Sequence, residues 1–174
     1  IGSMKTVYFK EVLLFLLLII LQVLLLNRIN VFGIATPVLY IYFLLKLSIG
    51  RNQFYVIISG FLLGLIIDIF LNTPGVNAAA TTIIATIRRP VIYLFYEKEI
   101  YDEFIPGINT ATGSFVRFTI FMVLTHLTLL FFIESFTLFN LLNTISRIIS
   151  SSIISIILIL ALDSLIYRKK AGEQ

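Results

Sequence analysis

The chain has 174 residues, of which 59% are hydrophobic and 13% are charged, and its formal net charge at pH 7 is +4. Soluble domains carry about 25% charged residues, so this composition and a mean hydropathy of +1.06 exclude a soluble protein and indicate an integral membrane protein. The absence of cysteine excludes a disulfide framework, thiol catalysis and cysteine-ligated metals. Because a span needs about 20 residues, five or six helices would use most of the chain.

The first apolar run predicts the first transmembrane helix. Residues 12–26 are almost unbroken leucine and isoleucine, and together with residues 7–9 they are long enough to span a membrane. The length of this run and the lack of a small-residue cleavage site argue against a signal peptide. The three residues before Met4 resemble the remnant of an expression tag, so we expect residues 4–174 to form a single six-helix membrane domain.

The next three spans follow at short intervals. Residues 27–36 form a polar turn, and Pro37 then suits the first turn of a second helix over residues 37–47. Residues 54–71 form the third span, and the fourth starts near Asn77, a suitable N-cap. Arg88-Arg89-Pro90 arrives after only about a dozen residues, so we expect the fourth helix to be short, tilted or kinked at Pro90.

After Pro90 the sequence mixes aromatic and charged residues, and residues 91–104 read VIYLFYEKEIYDEF. Aromatic rings at the headgroup level and charges in water are typical of an interfacial segment. Four acids and one base there favour contact with a basic protein surface over anionic lipid. We therefore expect a cytoplasmic interface made of Arg88, Arg89, Pro90, Glu97, Lys98, Glu99, Asp102 and Glu103.

The last third of the chain contains two further apolar runs. Pro106-Gly107 and residues 109–113 predict a loop, and residues 115–133 predict the fifth span. Residues 140–143 follow a short turn, and residues 145–166 predict the sixth span. Arg168-Lys169-Lys170 closes that span.

The basic residues are divided unevenly between the two sides of this arrangement. If the N-terminus is cytoplasmic, eleven of the 13 fall on the cytoplasmic side. Lysine and arginine collect in cytoplasmic loops, so the pattern predicts six spans with both termini in the cytoplasm. The eleven are Lys5, Lys10, Lys46, Arg51, Arg88, Arg89, Lys98, Arg117, Arg168, Lys169 and Lys170, and the outer side has Arg28 and Arg147.

A stripe of small and polar residues marks the third span and the turn after it. Its members are Gly60, Gly64, Asp68, Asn72, Pro74 and Gly75. The first four are spaced by four residues, so on a helix they lie along one side. An ionisable residue in a span is a functional-site hypothesis by default. Glycines allow helices to approach closely, so we expect the stripe to face another helix, either of this chain or of a partner.

Several groups could offset the charge of Asp68. A carboxylate near a helix C-terminus is opposed by the helix dipole, so it needs a partner. Arg28 and Arg147 are the two cations on the outer side, and the Asn77 side chain with the free amides of the fourth helix is the neutral alternative. A third possibility is that Asp68 reaches toward water and caps the turn between residues 72 and 77.

The other polar groups in the spans favour structural roles. His126 is the only histidine, so a neutral, hydrogen-bonded core residue is favoured over a metal ligand. Serines 150–152 and 155 are expected to pack between helices, because no paired base would activate them. Asp163 is expected to form a salt bridge with one of three bases at similar depth, Lys46, Arg88 or Arg89. No motif of a metalloprotease, a phosphate-binding loop or a serine hydrolase occurs, so we expect neither an enzyme nor a cofactor.

These motifs and the predicted topology resemble the rod shape-determining protein MreD family of bacteria, over essentially all of residues 4–174. The resemblance implies an all-α integral membrane protein with six transmembrane helices, similar in fold to the S-components of energy-coupling-factor transporters. The residues that carry it are Gly60, Gly64, Leu65 and Asp68, the Pro74-Gly75 turn, and Arg88, Arg89 and Pro90.

The resemblance also implies a function and partners. It implies a non-catalytic scaffold subunit of the cell-wall elongation complex in the bacterial inner membrane. The implied partners are the single-span protein MreC, bound directly, the actin-like MreB, RodA, a class B penicillin-binding transpeptidase and membrane lipid, with no nucleic acid. We expect Asp68 and the glycine stripe to hold this complex together.

The alternative function is a substrate-binding, S-component-like subunit of a transporter for a vitamin or another small molecule. S-components dock through small residues in their first helix, whereas residues 13–26 here are bulky. The outer loops are also short, and no convergent polar pocket is visible. The scaffold is therefore favoured.

Overall fold

Helices make up nearly all of the described chain. The computed structural model describes residues 2–28, 35–96, 104–135 and 141–171. Five helices in these ranges are long and apolar enough to cross a membrane, and the ranges contain no β-strand, so the prediction of a helical, multi-pass membrane protein is confirmed at this level. The helices are α1 (Gly2–Leu24), α2 (Tyr42–Lys46), α3 (Gln53–Leu71), α4 (Val76–Phe95), α5 (Ile108–Glu134) and α6 (Leu141–Ala171), with a 3-10 turn at Leu26–Arg28.

The long helices pack largely in chain order. Helix α3 packs against α4, α4 against α5, and α5 against α6, while α1 lies against α2 and α3. Among the described residues of α1, only Leu18, Ile19 and Gln22 are buried. Helix α1 therefore keeps most of its apolar surface outside the packed core.

The second helix is where the sequence prediction is wrong. Only Tyr42–Lys46 is helical within the predicted residues 37–47, and residues 36–39 have no regular structure. We call residues 35–52 the buried connector, because residues 40–45 within it are each at most 1% exposed. It lies in the interior, although most of its backbone cannot form helical hydrogen bonds.

Side chains from three helices satisfy the connector's backbone in place of a helix. Ser151 Oγ of α6 accepts from the Thr36 amide at 3.1 Å, and Ser155 Oγ accepts from the Val38 amide at 2.8 Å. Gln22 of α1 bridges two connector groups, accepting from the Leu39 amide at 2.8 Å and donating to the carbonyl of Pro37 at 3.0 Å. Arg88 of α4 donates to the carbonyls at the end of α2. Irregular backbone in an apolar interior is tolerated only with such partners.

Helix α4 is longer than the Arg-Pro sequence suggested. It continues through Pro90 to Phe95, so the expected interfacial segment is wrong for residues 91–95, of which Val91 and Ile92 are 6% and 1% exposed. Pro90 has no amide to bond the Thr86 carbonyl, and that carbonyl accepts from Gln53 Nε2 of α3 at 3.0 Å instead. The remaining charges of the expected segment, Glu97, Lys98, Glu99, Asp102 and Glu103, lie outside the described residues.

Helix α5 begins earlier than predicted, because Ile108 already opens it within the expected loop. The backbone at Ala111 is non-helical, with φ −160° and ψ 77°, so a first short turn is separated from the rest of α5 by a kink. The expected loop over residues 109–113 is therefore a kinked helix start. The predicted fifth and sixth spans lie within α5 and α6.

Candidate functional site

The glycine stripe of α3 lies against α4 of the same chain. A Cβ atom added at Gly64 would stand 2.6 Å from Ala78 Cα and 2.5 Å from the carbonyl oxygen of Asn77, and one added at Gly60 would stand 2.8 Å from Ala85 Cβ. The space in front of both glycines is therefore filled by α4, as the intramolecular alternative requires. The expectation that these two glycines receive a helix of a partner protein stays a prediction, and such a helix would have to displace α4.

Asp68 caps the N-terminus of α4 from across the turn. Its side chain is buried at 4% exposure. Oδ1 accepts from the Asn77 amide at 3.0 Å, from Asn77 Nδ2 at 2.9 Å and from the Thr73 hydroxyl at 2.6 Å, and Oδ2 accepts from the Ala78 amide at 2.8 Å. Three of these four bonds reach Oδ1 and one reaches Oδ2, so both oxygens of the carboxylate are engaged.

The start of α4 offsets the charge of Asp68. The first amides of a helix have no partner within it and carry the positive end of its dipole. This is the neutral alternative of the sequence analysis, and it makes a cation unnecessary. Arg147 contacts Glu134 at 3.5 Å and lies 4.5 Å from the centre of the Phe131 ring instead.

The turn between α3 and α4 depends on two residues with positive φ. Asn72 ends α3 in the left-handed conformation at φ 56°, which asparagine tolerates better than most residues. Gly75, at φ 79°, takes the N-cap position expected for Asn77. An open depression of about 440 Å³ lies at this turn, lined by Leu65, Asp68, Ile69, Asn72, Thr73, Pro74 and Gly75.

A chain of buried hydrogen bonds leads inward from Asp68. The Tyr40 hydroxyl donates to Asn77 Oδ1 at 2.8 Å and lies 2.9 Å from His126 Nε2. Tyr40 and His126 are 1% and 0% exposed. His126 is thus a hydrogen-bonded core residue, as expected, whereas no sequence pattern distinguishes Tyr40 from the other tyrosines.

A second polar cluster surrounds Asp163. Its carboxylate forms a salt bridge with Lys46 at 2.8 Å and accepts from the Tyr42 hydroxyl at 2.6 Å and the Ile108 amide at 2.7 Å. Lys46 also donates to the carbonyl of Pro106 at 2.7 Å. The expected salt bridge is therefore formed by Lys46, and the cluster ties α2, α5 and α6 together.

Arg88 has a different role from the one predicted. It is 2% exposed, and its guanidinium donates to the carbonyls of Leu44, at 2.6 Å, and of Leu47. It therefore caps the C-terminal end of α2 rather than belonging to a surface. Arg89 and Pro90 are exposed, so the expected cytoplasmic interface is divided between interior and surface.

A further cluster at the start of α3 is not predicted by the sequence pattern. The Arg51 guanidinium pairs with Glu11 of α1 and lies 4.5 Å from the centre of the Tyr8 ring. The Tyr55 hydroxyl donates to the same glutamate at 2.9 Å. Burial lowers the pKa of Arg51, but its hydrogen bond to Glu11 and the charge of that glutamate raise the pKa by more. The cluster fastens α1 to the end of the connector.

The polar groups described above make structural contacts with one another. Among the described residues, no three acidic or histidine side chains come close enough together to hold a metal ion. No known family model, curated protein or solved structure matches the chain.

Proposed function

We propose that this chain is a non-catalytic scaffold subunit of the bacterial cell-wall elongation complex, as its resemblance to the MreD family implies. It binds MreC directly and assembles with MreB, RodA and the class B transpeptidase. The observation that supports this proposal is that the candidate polar side chains of the interior are engaged in bonds that hold the fold. Asp68 has four hydrogen bonds and Asp163 has an ion pair and two hydrogen bonds.

The proposed topology has six crossings of the inner membrane, and the buried connector supplies the one between α1 and α3. Its contacts with α6 support this assignment, because Thr36 bonds Ser151 whereas Lys46 bonds Asp163. Twelve helical residues separate the two α6 contacts, which corresponds to about 18 Å along the helix axis. Both termini then lie in the cytoplasm, in agreement with the distribution of basic residues.

Since α4 occupies the glycine stripe, we assign the contact with the MreC span to the outer surface of α1. Leu13, Leu17, Ile20 and Leu24 are 58%, 48%, 54% and 58% exposed. Their spacing of three and four residues places them on one side of the helix. Such a surface accepts another transmembrane helix by close packing rather than by hydrophobic attraction, because lipid is equally apolar.

The alternative, a substrate-binding subunit similar to S-components, has one observation in its favour. The depression at the end of α3 is large enough for a small molecule. However, the only acid that lines it, Asp68, already accepts four hydrogen bonds within the chain. The depression therefore offers a polar substrate only a carboxylate that is already engaged in capping α4, and we favour the scaffold.

Co-purification from native membranes in mild detergent tests the proposal. We expect the tagged wild-type chain to recover a single-span wall-synthesis protein, and recovery of an ATPase module instead would support the transporter subunit. Leu17→Trp should reduce recovery of the single-span protein, because it changes the proposed contact surface of α1. The matched control is Ile157→Trp on α6, where the native side chain is 61% exposed. Equal loss in both variants would contradict the assignment to α1.

Cysteine labelling tests the topology independently of any partner. The chain has no native cysteine, so single cysteines report one position each. We expect cysteines at Asn30 and Asn140 to react with an impermeant maleimide in intact cells, and those at Asn52 and Glu173 to stay unlabelled. Labelling at Asn52 would overturn the proposed crossing of the connector.

We also propose that residues 97–103, here called the acidic segment, contact a basic surface of a cytoplasmic partner. Tyr96 and Phe104, which flank it, have ring centres 6.0 Å apart. We expect reversal of the four acidic charges to change the composition of the purified complex. If cell shape and complex composition were unaffected, the segment would be no more than a solubilising loop. The reversed residues are Glu97, Glu99, Asp102 and Glu103.

A further inference from the structure

The direction of each proton in the chain from Asp68 to His126 follows from the chemistry of its members. The Asp68 carboxylate only accepts, so Asn77 must turn Nδ2 toward it, at 2.9 Å, and Oδ1 toward Tyr40, at 2.8 Å. The single phenolic proton of Tyr40 is then used on Asn77 Oδ1. The Tyr40 oxygen must accept from the ring nitrogen 2.9 Å away, so His126 carries its proton on Nε2.

The other ring nitrogen of His126 is left as a buried acceptor. No carboxylate contacts this fully buried ring within the described chain, so a charged imidazolium would be desolvated without an anion to offset it. A neutral ring with its proton on Nε2 has a bare lone pair on Nδ1. Nδ1 has no hydrogen-bond partner among the described residues. Leaving a buried acceptor unpaired is unfavourable.

The side chains of α5 itself do not supply the missing donor. The Thr119 hydroxyl lies on the same side of α5 and is also buried and unpaired. It is seven residues before His126, which corresponds to about 10.5 Å along the helix axis, too far for a direct hydrogen bond. Buried polar groups of this kind are commonly satisfied by a small bound molecule such as water.

We propose that Nδ1 of His126 is a binding site for the hydroxyl group of a small neutral molecule, either water or an organic hydroxyl. A neutral ligand is specified because no charged side chain of the described residues forms a hydrogen bond or an ion pair with the ring. A metal ion is not proposed here. A metal site needs several ligands, and the described residues hold no cluster of three or more acidic or histidine side chains. The proposed ligand is bound in the protein interior, and its binding does not depend on the scaffold function of the protein.

The chain of hydrogen bonds from Asp68 to His126 is not a path for proton transfer. A relay requires every member to take up a proton on one side and release one on the other. The Asn77 amide interrupts such a path, because it neither ionises nor accepts an excess proton under physiological conditions. The geometry therefore supports binding at His126 rather than proton transfer between Asp68 and the interior.

Nitrogen NMR of the full-length protein in lipid bilayers tests the site. Because the chain has one histidine, selective ¹⁵N-histidine labelling gives the signals of a single ring. We expect a protonated Nε2 and an unprotonated Nδ1 whose signal is shifted to lower frequency than that of a free acceptor. Magnetisation transfer from water would identify water as the donor, and transfer from other protons would identify an organic hydroxyl. A proton on Nδ1, or a free-acceptor shift, would overturn the proposal.

Two tyrosine variants provide matched controls. Tyr40→Phe removes the acceptor of the Nε2 proton, so the Nε2 signal should move while Nδ1 remains unprotonated. Tyr42→Phe removes a hydroxyl that bonds Asp163 instead, and both ring signals should stay in place. An unchanged Nε2 signal in Tyr40→Phe would show that the proton direction derived above is wrong.

Discussion

Adding one methyl group at Gly64 should separate α3 from α4. In Gly64→Ala the new Cβ would lie 2.6 Å from Ala78 Cα and 2.5 Å from the Asn77 carbonyl oxygen. Carbon atoms in favourable contact are about 3.5–4.0 Å apart, so the helices would have to move apart by about 1 Å. Two of the three nearest atoms belong to the backbone of α4, which cannot rotate away, and the third is the hydroxyl oxygen of Thr81.

The expected magnitude follows from two opposing effects. Overpacking of an interior costs about 1–3 kcal/mol, whereas replacing glycine by alanine within a helix gains about 0.5–1 kcal/mol. Gly64→Ala should therefore lower the free energy of unfolding by about 1–2 kcal/mol. Gly60→Ala should cost less, because its closest neighbour is the Ala85 methyl group at 2.8 Å. Gly113→Ala, with no atom within 4 Å of the new Cβ, should be neutral or stabilising.

The assay is unfolding of the three variants by SDS in mixed micelles, followed by helical circular dichroism. The expected order of stability is Gly113→Ala, then Gly60→Ala, then Gly64→Ala. Equal stability of Gly64→Ala and Gly113→Ala would refute the close contact of α3 and α4. Gly64→Leu should reduce the amount of folded protein in the membrane. If it left the protein folded and abolished only the recovery of a partner, the stripe would serve that partner after all.

Three further substitutions test the buried polar groups in the same unfolding assay. Asp68→Asn should cost about 2–3 kcal/mol, because hydrogen bonds to charged groups contribute about 1.5–3 kcal/mol each and the new amide would face the amides of α4; wild-type stability would contradict the cap. Lys46→Met should cost about 3–5 kcal/mol by leaving the charge of Asp163 buried without a counter-ion. Adding Asp163→Leu should recover only part of that loss, because it also leaves the Tyr42 hydroxyl and the Ile108 amide without their acceptor; simple additivity would show that the two side chains are not coupled. Arg88→Lys should cost about 2 kcal/mol, because lysine lacks the guanidinium fork, whereas Arg89→Lys at the exposed neighbour should be neutral; equal effects would remove Arg88 from the end of α2.

The helices that the sequence predicted well are those whose apolar runs satisfy their own backbone. Helices α1, α3, α5 and α6 each come from a run long enough to span, and hydropathy is sufficient for them. Asp68 was also recognised as a group that needs a partner, and the free amides of α4 were one of the partners considered. The sequence could not decide among these partners, because the choice depends on how closely α3 and α4 approach at Gly64.

The connector was mispredicted because hydropathy measures side chains and not the backbone. An apolar run of its length predicts a helix when nothing else can bond its amides and carbonyls. Here Gln22, Ser151, Ser155 and Arg88 perform that task, and they are scattered over three helices. Arg88 was misassigned for a related reason, since an arginine before a proline is typical of the end of a span. No local pattern marks any of these side chains as a partner for distant backbone.

The sequence positions of these partner residues determine when the connector can take its final form during synthesis. Thr36 and Val38 bond serines that lie 115 and 117 positions later in the chain. While the ribosome is still completing α5, neither serine has been synthesised, and the amides of Thr36 and Val38 cannot yet have their final partners. Until α6 arrives, these two amides need another partner, such as water or a cellular insertion factor, because lipid offers them none. The connector's irregular form is thus acquired last, when α6 arrives, and a chain truncated before Ser151 should leave this segment unfinished and exposed to quality-control proteases.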